Sequence, residues 1–423
     1  HLSCQSPSFS PLTTSPSQKK LLHNGQFLRL WSVGWMTGTM MWLEMLVVAL
    51  LALELTDSPF LVSFTFFLRF LPMFFGFGIG IIAERINRKY LMIGGLAVQV
   101  TVSAALAVLI ITDTIQYWHL ALGSFFTGAV IASEFPVRRT MIGEVVSRMN
   151  VGRAVSLEQT TNSLFRIIGP FVGGVFLATI GAQGGFLLGV VLYSIGVIIA
   201  ISMKYQRPES NEVPEGPKTQ IIEGIQYIRK SQVMIGTLGV TLVVNVFGFS
   251  YMSQQPVVAK QVLQVSDVLI GLLQSVEGAG AFFGAALIVI FAKPHHYTRI
   301  YMWGSLLFLI TIALFSQSEI YWVSLIILFI GGIGMSGFAA MQSAIVIYTA
   351  SPQMRGRVLG SVAVFIGLGP LGQLGIGILA SIFNPATAVL ITAITGIICM
   401  FIAFVIYPAM SKPNALEQYT TNG

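Results

Sequence analysis

The sequence predicts an all-α membrane protein of twelve transmembrane helices in two six-helix halves. Composition, the length of the apolar runs and the placement of Lys and Arg each point to it. Of 423 residues, 55% are hydrophobic and only 9% are charged, and the mean hydropathy is +0.81. A soluble globular protein carries about 25% charged residues, so this chain has too few charges to cover soluble domains. Its apolar runs recur at about 18 residues or more, enough to cross a hydrocarbon core as a helix. Backbone groups in lipid must be satisfied within their own segment, which makes helices the default span. A transmembrane barrel would instead show alternating segments of about 10 residues, and these runs are continuous.

The first half is expected to span at 28–53, 60–83, 90–111, 117–137, 157–180 and 184–203. The second half is expected to span at 233–257, 267–291, 299–316, 320–349, 358–382 and 386–408. Residues 1–26 read as a Ser/Pro/Thr-rich disordered tail without the apolar centre of a secretory signal. The chain begins at His1 without an initiator Met, so a fragment or a processed start is expected. The two halves cover 27–203 and 233–408, joined by a polar, Pro-bearing linker over 204–232 with an amphipathic helical stretch at 221–228. A second tail follows at 409–423.

Alternate connections of a twelve-span chain share one side. The two ends and the connections at 84–89, 138–153, 204–230, 293–299 and 355–357 hold 20 of the 23 Lys and Arg residues. The other side holds Lys260, while Arg69 and Arg166 fall inside spans. Basic residues favour cytoplasmic loops, so both termini are expected in the cytoplasm and the chain in the plasma (inner) membrane. The net charge of +7 expresses this bias rather than a nucleic-acid-binding face. Cys4 and Cys399 and the five His suggest no disulfide framework or metal site. There is no GxxxxGK[ST] phosphate loop and no nucleophile–base arrangement. No cofactor and no enzymatic chemistry are expected.

The halves resemble each other at an offset near 204. "GFGIG" (76–80) aligns with "GAFFG" (280–284), and "VGRAV" (151–155) with "RGRVL" (355–359). "IGPFVGG" (168–174) aligns with "LGPLGQL" (368–374) after a slip of about one helical turn. Duplicated six-helix halves are a transporter architecture with the substrate site between them.

The stretch Gly80–x3–Glu84–Arg85–x2–Arg88–Lys89 resembles the cytoplasmic signature of the major facilitator superfamily, with Glu84 in place of the usual Asp. With "EFPVRRTMIGEVV", "FRIIGPFVGG" and "SPQMRGRVLGS", the chain from 27 to 408 is similar to the enterobactin-exporter and macrolide-efflux branch. The resemblance implies that Glu84 and Arg85 latch the halves in an outward-open state. Arg88 and Lys89 hold the connection in the cytoplasm, and Gly76 and Gly80 let a neighbouring helix approach closely. Gly169–Pro170–x2–Gly173–Gly174 is similar to the tail of the antiporter motif, although Phe165 stands where that motif has Gly.

Ionisable groups at membrane depth are costly and face a cavity or a partner. Glu44 and Arg69 lie at equal depth on consecutive antiparallel spans, so an ion pair between them is expected. Arg166 and Glu277 both lie near the midplane. The resemblance brings their two spans together across the halves, so an Arg166–Glu277 pair is expected to bridge the halves and break during rocking. Glu44, on a span the resemblance places at the cavity, is the leading candidate to carry the coupled proton, with Arg69, Arg166 and Glu277 as the other coupling charges. It also implies a cavity lined by the first, fourth, seventh and tenth spans, with Trp35, Met41, Trp42, Asn245, Phe249, Tyr251, Gln342 and Tyr348 as candidates. The expected function is proton-coupled export of a small amphipathic compound such as a siderophore, macrolide or other drug. The expected partners are that substrate, protons and the lipid bilayer, with the chain a monomer. The alternatives are uptake or lipid flipping by the same fold, and a non-transporting membrane sensor.

Overall fold

The computed structural model describes residues 21, 23–74, 87–147, 150–205, 217–229, 231–351 and 354–411. Those residues form helices and short connections, without a strand among them. Six helices precede the linker: α1 (Gly25–Thr56), α2 (Pro59–Phe74), α3 (Arg88–Ile111), α4 (Tyr117–Val145), α5 (Val151–Thr179) and α6 (Ala182–Ser202). Six follow it: α7 (Gln232–Gln261), α8 (Asp267–Phe291), α9 (Tyr297–Ser316), α10 (Tyr321–Thr349), α11 (Arg355–Ile382) and α12 (Pro385–Ile406). Among the described residues eleven helices are long and apolar enough to cross a membrane, and α2 is a shorter apolar helix. The rest of the second expected span, with Gly76, Gly80, Glu84 and Arg85, lies outside the described residues.

Polar residues start the spans. Asn24 accepts hydrogen bonds from the amides of Gln26 and Phe27, Asn87 from Lys89, and Asn384 from Thr387. Each satisfies amides that a helix start leaves without a partner. Asp57 closes α1 in the left-handed region at φ 48°. Two helices run past their expected ends: α4 continues to Val145 rather than 137, and α5 begins at Val151 rather than 157. Hydropathy falls there because of Glu134, Arg138 and Glu158. The structure pairs these charges with one another, so the helices continue through them.

Helices α7 and α11 are each broken. α7 passes through a π-helical turn at Val244–Gly248 and a 3₁₀ turn at Phe249–Ser253. Asn245 donates through Nδ2 to the Thr241 carbonyl, inserting a side chain into the backbone ladder. α11 is interrupted between Ile366 and Gly369. The breaks meet: a Cβ at Gly372 would lie 2.0 Å from the Val246 carbonyl oxygen, so only glycine fits there.

Two buried apolar clusters follow the two halves. They exchange residues at one end. Leu46 and Leu50 of α1 belong to the cluster of the second half, and Val257 of α7 belongs to that of the first. This end is the face opposite the linker. There Ser63 of α2 shares a 2.7 Å hydrogen bond with Ser253 of α7. Gln254 donates to Ser63 Oγ at 2.6 Å and to the Pro59 carbonyl at 2.8 Å. Gly377 of α11 packs on Ser63, and Gly174 of α5 packs on the Asp267 carbonyl of α8. The halves therefore meet tightly at the face opposite the linker.

On the linker side, Pro217–Ile228 forms a helix that docks on the second half. Gly224 seats on the Arg357 carbonyl, Glu223 pairs with Arg357, and Tyr227 accepts from the Ser351 amide. Outward-facing side chains such as Ile198, Val289, Trp303 and Val405 remain exposed. Exposed Trp118 and Trp322 begin α4 and α10 at the face opposite the linker. An apolar surface edged by aromatic rings suits lipid.

A clash inside one half and a clash between halves should differ. A Cβ at Gly128 would lie 1.8 Å from the Arg69 carbonyl within the first half, and one at Gly174 would lie 2.5 Å from the Asp267 carbonyl of the other half. Gly128→Ala is expected to destabilise the protein by about 1–3 kcal/mol, read as a lowered Tm. Gly174→Ala should leave Tm near wild type. In a Ser253→Cys protein lacking Cys4 and Cys399, it should speed labelling by an impermeant maleimide.

Candidate functional site

Two ion pairs lie inside the helix bundle. In the first, Arg69 Nη2 donates to Glu44 Oε2 at 3.1 Å, and Tyr193 of α6 donates its hydroxyl to Glu44 Oε1 at 3.0 Å. All three side chains are buried. Gly128 of α4 allows the α2 backbone to approach at Arg69. The triad belongs entirely to the first half.

The second pair crosses the joint. Arg166 Nη2 of α5 lies 3.1 Å from Glu277 Oε1 of α8. Tyr251 of α7 donates to Glu277 Oε2. The same Arg166 nitrogen lies 2.9 Å from Met335 Sδ of α10, and the guanidinium sits 4.9 Å from the centre of the Trp42 ring of α1. Five helices from both halves thus converge on one arginine–carboxylate pair. A small cavity adjoins it, lined by Trp42, Met45, Arg166, Pro170, Met252, Gln255, Gln274 and Glu277.

The helix-5 motif sets the register of this joint. Pro170 has no amide hydrogen, so the Arg166 carbonyl loses its helical partner. Gly278 of α8 packs against that carbonyl; a Cβ there would lie 2.8 Å from it. Gly271 likewise seats on the Pro170 carbonyl. Gly169 and Gly173 receive α1 at Trp42 and Leu43, while Gly174 receives the start of α8. Small residues thereby bring α1, α5 and α8 close enough for Arg166 to reach Glu277.

A larger cleft, about 570 Å³ including its open mouth, lies in the linker-side part of the first half between α1, α4 and α5. Met41 lines it, and Trp35 stands beside it, 44% exposed and edge-on to Trp31 and Phe165. Trp42 Nε1 reaches Asn162 Oδ1 at 3.5 Å, between this cleft and the inner cavity. The other cavity candidates are engaged inside the second half. Asn245 bonds its own helix, Phe249 packs on Phe308 and Phe338, Gln342 donates to Thr241 Oγ1 at 2.8 Å, and Tyr348 packs edge-on to Tyr297. Neither cavity is lined by these four.

Of the signature after the second span, Arg88 and Lys89 are described. Arg88 pairs with Glu144 at 2.7 Å, and Tyr205 donates to the same carboxylate at 2.5 Å. Lys89 Nζ donates to the Met203 carbonyl at 2.6 Å. Both residues tie the start of α3 to the ends of α4 and α6 within the first half. Burial pushes the Tyr205 hydroxyl above its ordinary value, and its bond to Glu144 adds to that, so it stays a donor.

The carboxylate-capping hydroxyl of Tyr193, the Met335 sulfur and the Glu134–Arg138–Glu158 cluster were not part of the expected site. Only the spacing of Glu134 and Arg138, four apart on one helix, signalled a contact.

A family described as transmembrane secretion effector matches residues 17–421. The staphyloferrin A transporter of Staphylococcus aureus is 24% identical over 336 residues, covering 77% of this chain and 81% of that protein. Macrolide efflux protein A of Streptococcus pyogenes is 22% identical over 346 residues, covering 78% of this chain and 83% of its own. Among solved structures, the nucleoside transporter NupG superposes with a TM-score of 0.70 at 13% identity, over 90% of this chain and 99% of that one. A D-xylose–proton symporter superposes with a TM-score of 0.65 at 14% identity, over 93% and 98%. These structures share the fold.

Removing one member of a buried ion pair leaves the other without a partner and costs about 3–5 kcal/mol, whereas replacing both with apolar groups is near neutral. Glu44→Leu is therefore expected to lower Tm sharply, and Glu44→Leu/Arg69→Met to recover most of the loss. Thermal melts of the purified proteins check this double-mutant cycle.

Proposed function

The chain belongs to the transmembrane secretion effectors of the major facilitator superfamily, and we propose that it is a proton-coupled exporter of a small amphipathic compound. The observation that carries the reading is the Arg166–Glu277 pair, because it spans the joint between halves. Rigid-body rocking leaves distances within a half unchanged. Glu44, Arg69 and Tyr193 would therefore keep their geometry through a cycle, while Arg166 and Glu277 would part. For this reason, of the four intramembrane charges expected from sequence to take part in coupling, Glu277 with Arg166 carries the proton step, and the Glu44 triad, the leading candidate from sequence, is a fixed support.

The linker face is read as cytoplasmic from its basic residues. Contact between the halves at the opposite face then corresponds to an inward-facing state, with the cleft open to the cytoplasm. Substrate enters there. Rocking opens the outer face and separates Arg166 from Glu277. A buried carboxylate that loses its cation takes up a proton instead, and that proton comes from outside. On return, Arg166 displaces it into the inner cavity beside Trp42 and on toward the cytoplasm. One inward proton drives each outward passage of substrate. The relatives that carry staphyloferrin A or expel macrolides support a substrate of this size. The chain acts in the plasma (inner) membrane as a monomer, with both termini cytoplasmic.

Energised inverted vesicles, acid inside, test the reading against a panel of siderophores, macrolides and cationic dyes. A transported compound should release protons from the lumen. Glu277→Gln should abolish that release, and a correctly folded Glu44→Gln should retain it. Full release by Glu277→Gln would remove Glu277 from the cycle.

A further inference from the structure

The cleft of the first half holds a charge arrangement that the coupling scheme does not use. Arg138 of α4 lies between two carboxylates. Its Nε donates to Glu134 Oε1 at 2.7 Å, and its Nη1 lies 2.5 Å from Glu158 Oε1. Thr37 Oγ1 also donates to Glu134 Oε1, at 3.2 Å. The guanidinium lies against the α1 backbone, where a Cβ at Gly34 would come 2.1 Å from Nη1. Its position is therefore closed on that side.

Glu158 differs. It is only 5% exposed and it lines the cleft; beyond the ion pair of its Oε1 with Arg138, neither oxygen accepts a hydrogen bond among the described residues. A buried carboxylate normally accepts several, and leaving them unmade is costly. Arg139 is the second cation near Glu158; its Nη2 donates to Gln159 at 3.0 Å, and it is not among the residues lining the cleft. Trp31 also lines the cleft, with Trp35 beside it. Trp31 is fixed by Nε1 donating to Thr161 Oγ1 at 3.1 Å, and it meets Trp35 edge-on with ring centres 5.7 Å apart. Aromatic faces attract cations.

We infer that the cleft between α1, α4 and α5 is a binding site for an amphipathic organic monocation, such as a protonated tertiary amine or a quaternary ammonium or phosphonium. Glu158 receives the charge, and Trp31, Trp35 and Met41 receive the apolar body. In the empty site the Arg138 guanidinium stands in for that cation. An incoming cation pairs with Glu158 in place of Arg138 Nη1, while Arg138 keeps its bond to Glu134. An anion meets the carboxylates of Glu134 and Glu158, which repel it. This assignment names the substrate class for the transport reading and rests on that reading for its role.

The probe pair is tetraphenylphosphonium and tetraphenylborate, alike in shape and opposite in charge. Their binding to the purified full-length protein is measured by equilibrium dialysis. The wild type should bind the cation more tightly than the anion. Glu158→Gln should weaken cation binding by about tenfold or more, the scale of a lost bond to a charged group. Glu158→Asp should fall between. Gly38→Leu fills the cleft without touching a charge and should also lose the cation, which keeps the test decisive if Glu158→Gln does not fold. Tighter binding of the anion, or cation binding unchanged in both Glu158→Gln and Gly38→Leu, would overturn the site. Binding is read without transport. Glu158-dependent binding with no proton-coupled movement of any compound would therefore sink the export reading and leave the site standing. Coupled export without Glu158-dependent binding would do the reverse.

Discussion

Glu277 finds its cation only across the joint between the two halves. A carboxylate buried in a low-dielectric bundle is costly to keep charged unless a partner stays within reach. Arg166 supplies that partner at 3.1 Å, Tyr251 satisfies the second oxygen, and Trp42 and Met335 close around the guanidinium. Much of the surrounding architecture serves to hold this geometry. Pro170 removes an amide, Gly278 fills the gap beside the freed carbonyl, and Gly169, Gly173 and Gly174 let α1 and α8 press onto α5. Glycine is the only residue that fits several of these positions, because the neighbouring atoms are backbone and cannot turn aside.

The same economy appears where α7 and α11 break. Their interruptions touch at Gly372 and Val246, so the irregular backbone of one helix is covered by the small residue of the other. Backbone that leaves the helical pattern inside a membrane must be buried in protein or face a cavity. The first half carries its long α1 unbroken through the bundle and places its charges in two sets instead. One set, Glu44 with Arg69 and Tyr193, is sealed. The other, around Arg138, lines an open cleft. Trp42 and Asn162 lie between that cleft and the cross-half pair, so one helix, α1, runs along both.

Much of this was legible in the sequence. Apolar runs marked the spans, because lipid demands about 20 apolar residues of a helix, and equal depth on antiparallel neighbours brought Glu44 to Arg69. The ends of α4 and α5 were less legible. Hydropathy reports where lipid stops, and there the helices continue through charges that neutralise one another. Tyr193 lies 149 residues from Glu44, and no local pattern links them. Glu158 lies on a different helix from Arg138, so only the fold brings them together. Asn245, Phe249 and Gln342 were selected for chemistry that suits a ligand, but the same polar and aromatic groups also suit a tightly packed helix bundle. The π-helical turn of α7 has no signature beyond Asn245 and Gly248.

The coupling of proton occupancy to the opening of the joint is tested most directly by a distance between the halves at the face opposite the linker. Spin labels at exposed Thr114 and Gln317, on the connections after α3 and α9, report that separation by pulsed electron resonance. If Glu277 takes up a proton as Arg166 withdraws, lowering the pH should lengthen the distance in the wild type, and the lengthened distance should persist at all pH values in Glu277→Gln. A distribution that ignores pH in the wild type, or that responds to pH equally in Glu277→Gln, would contradict the coupling.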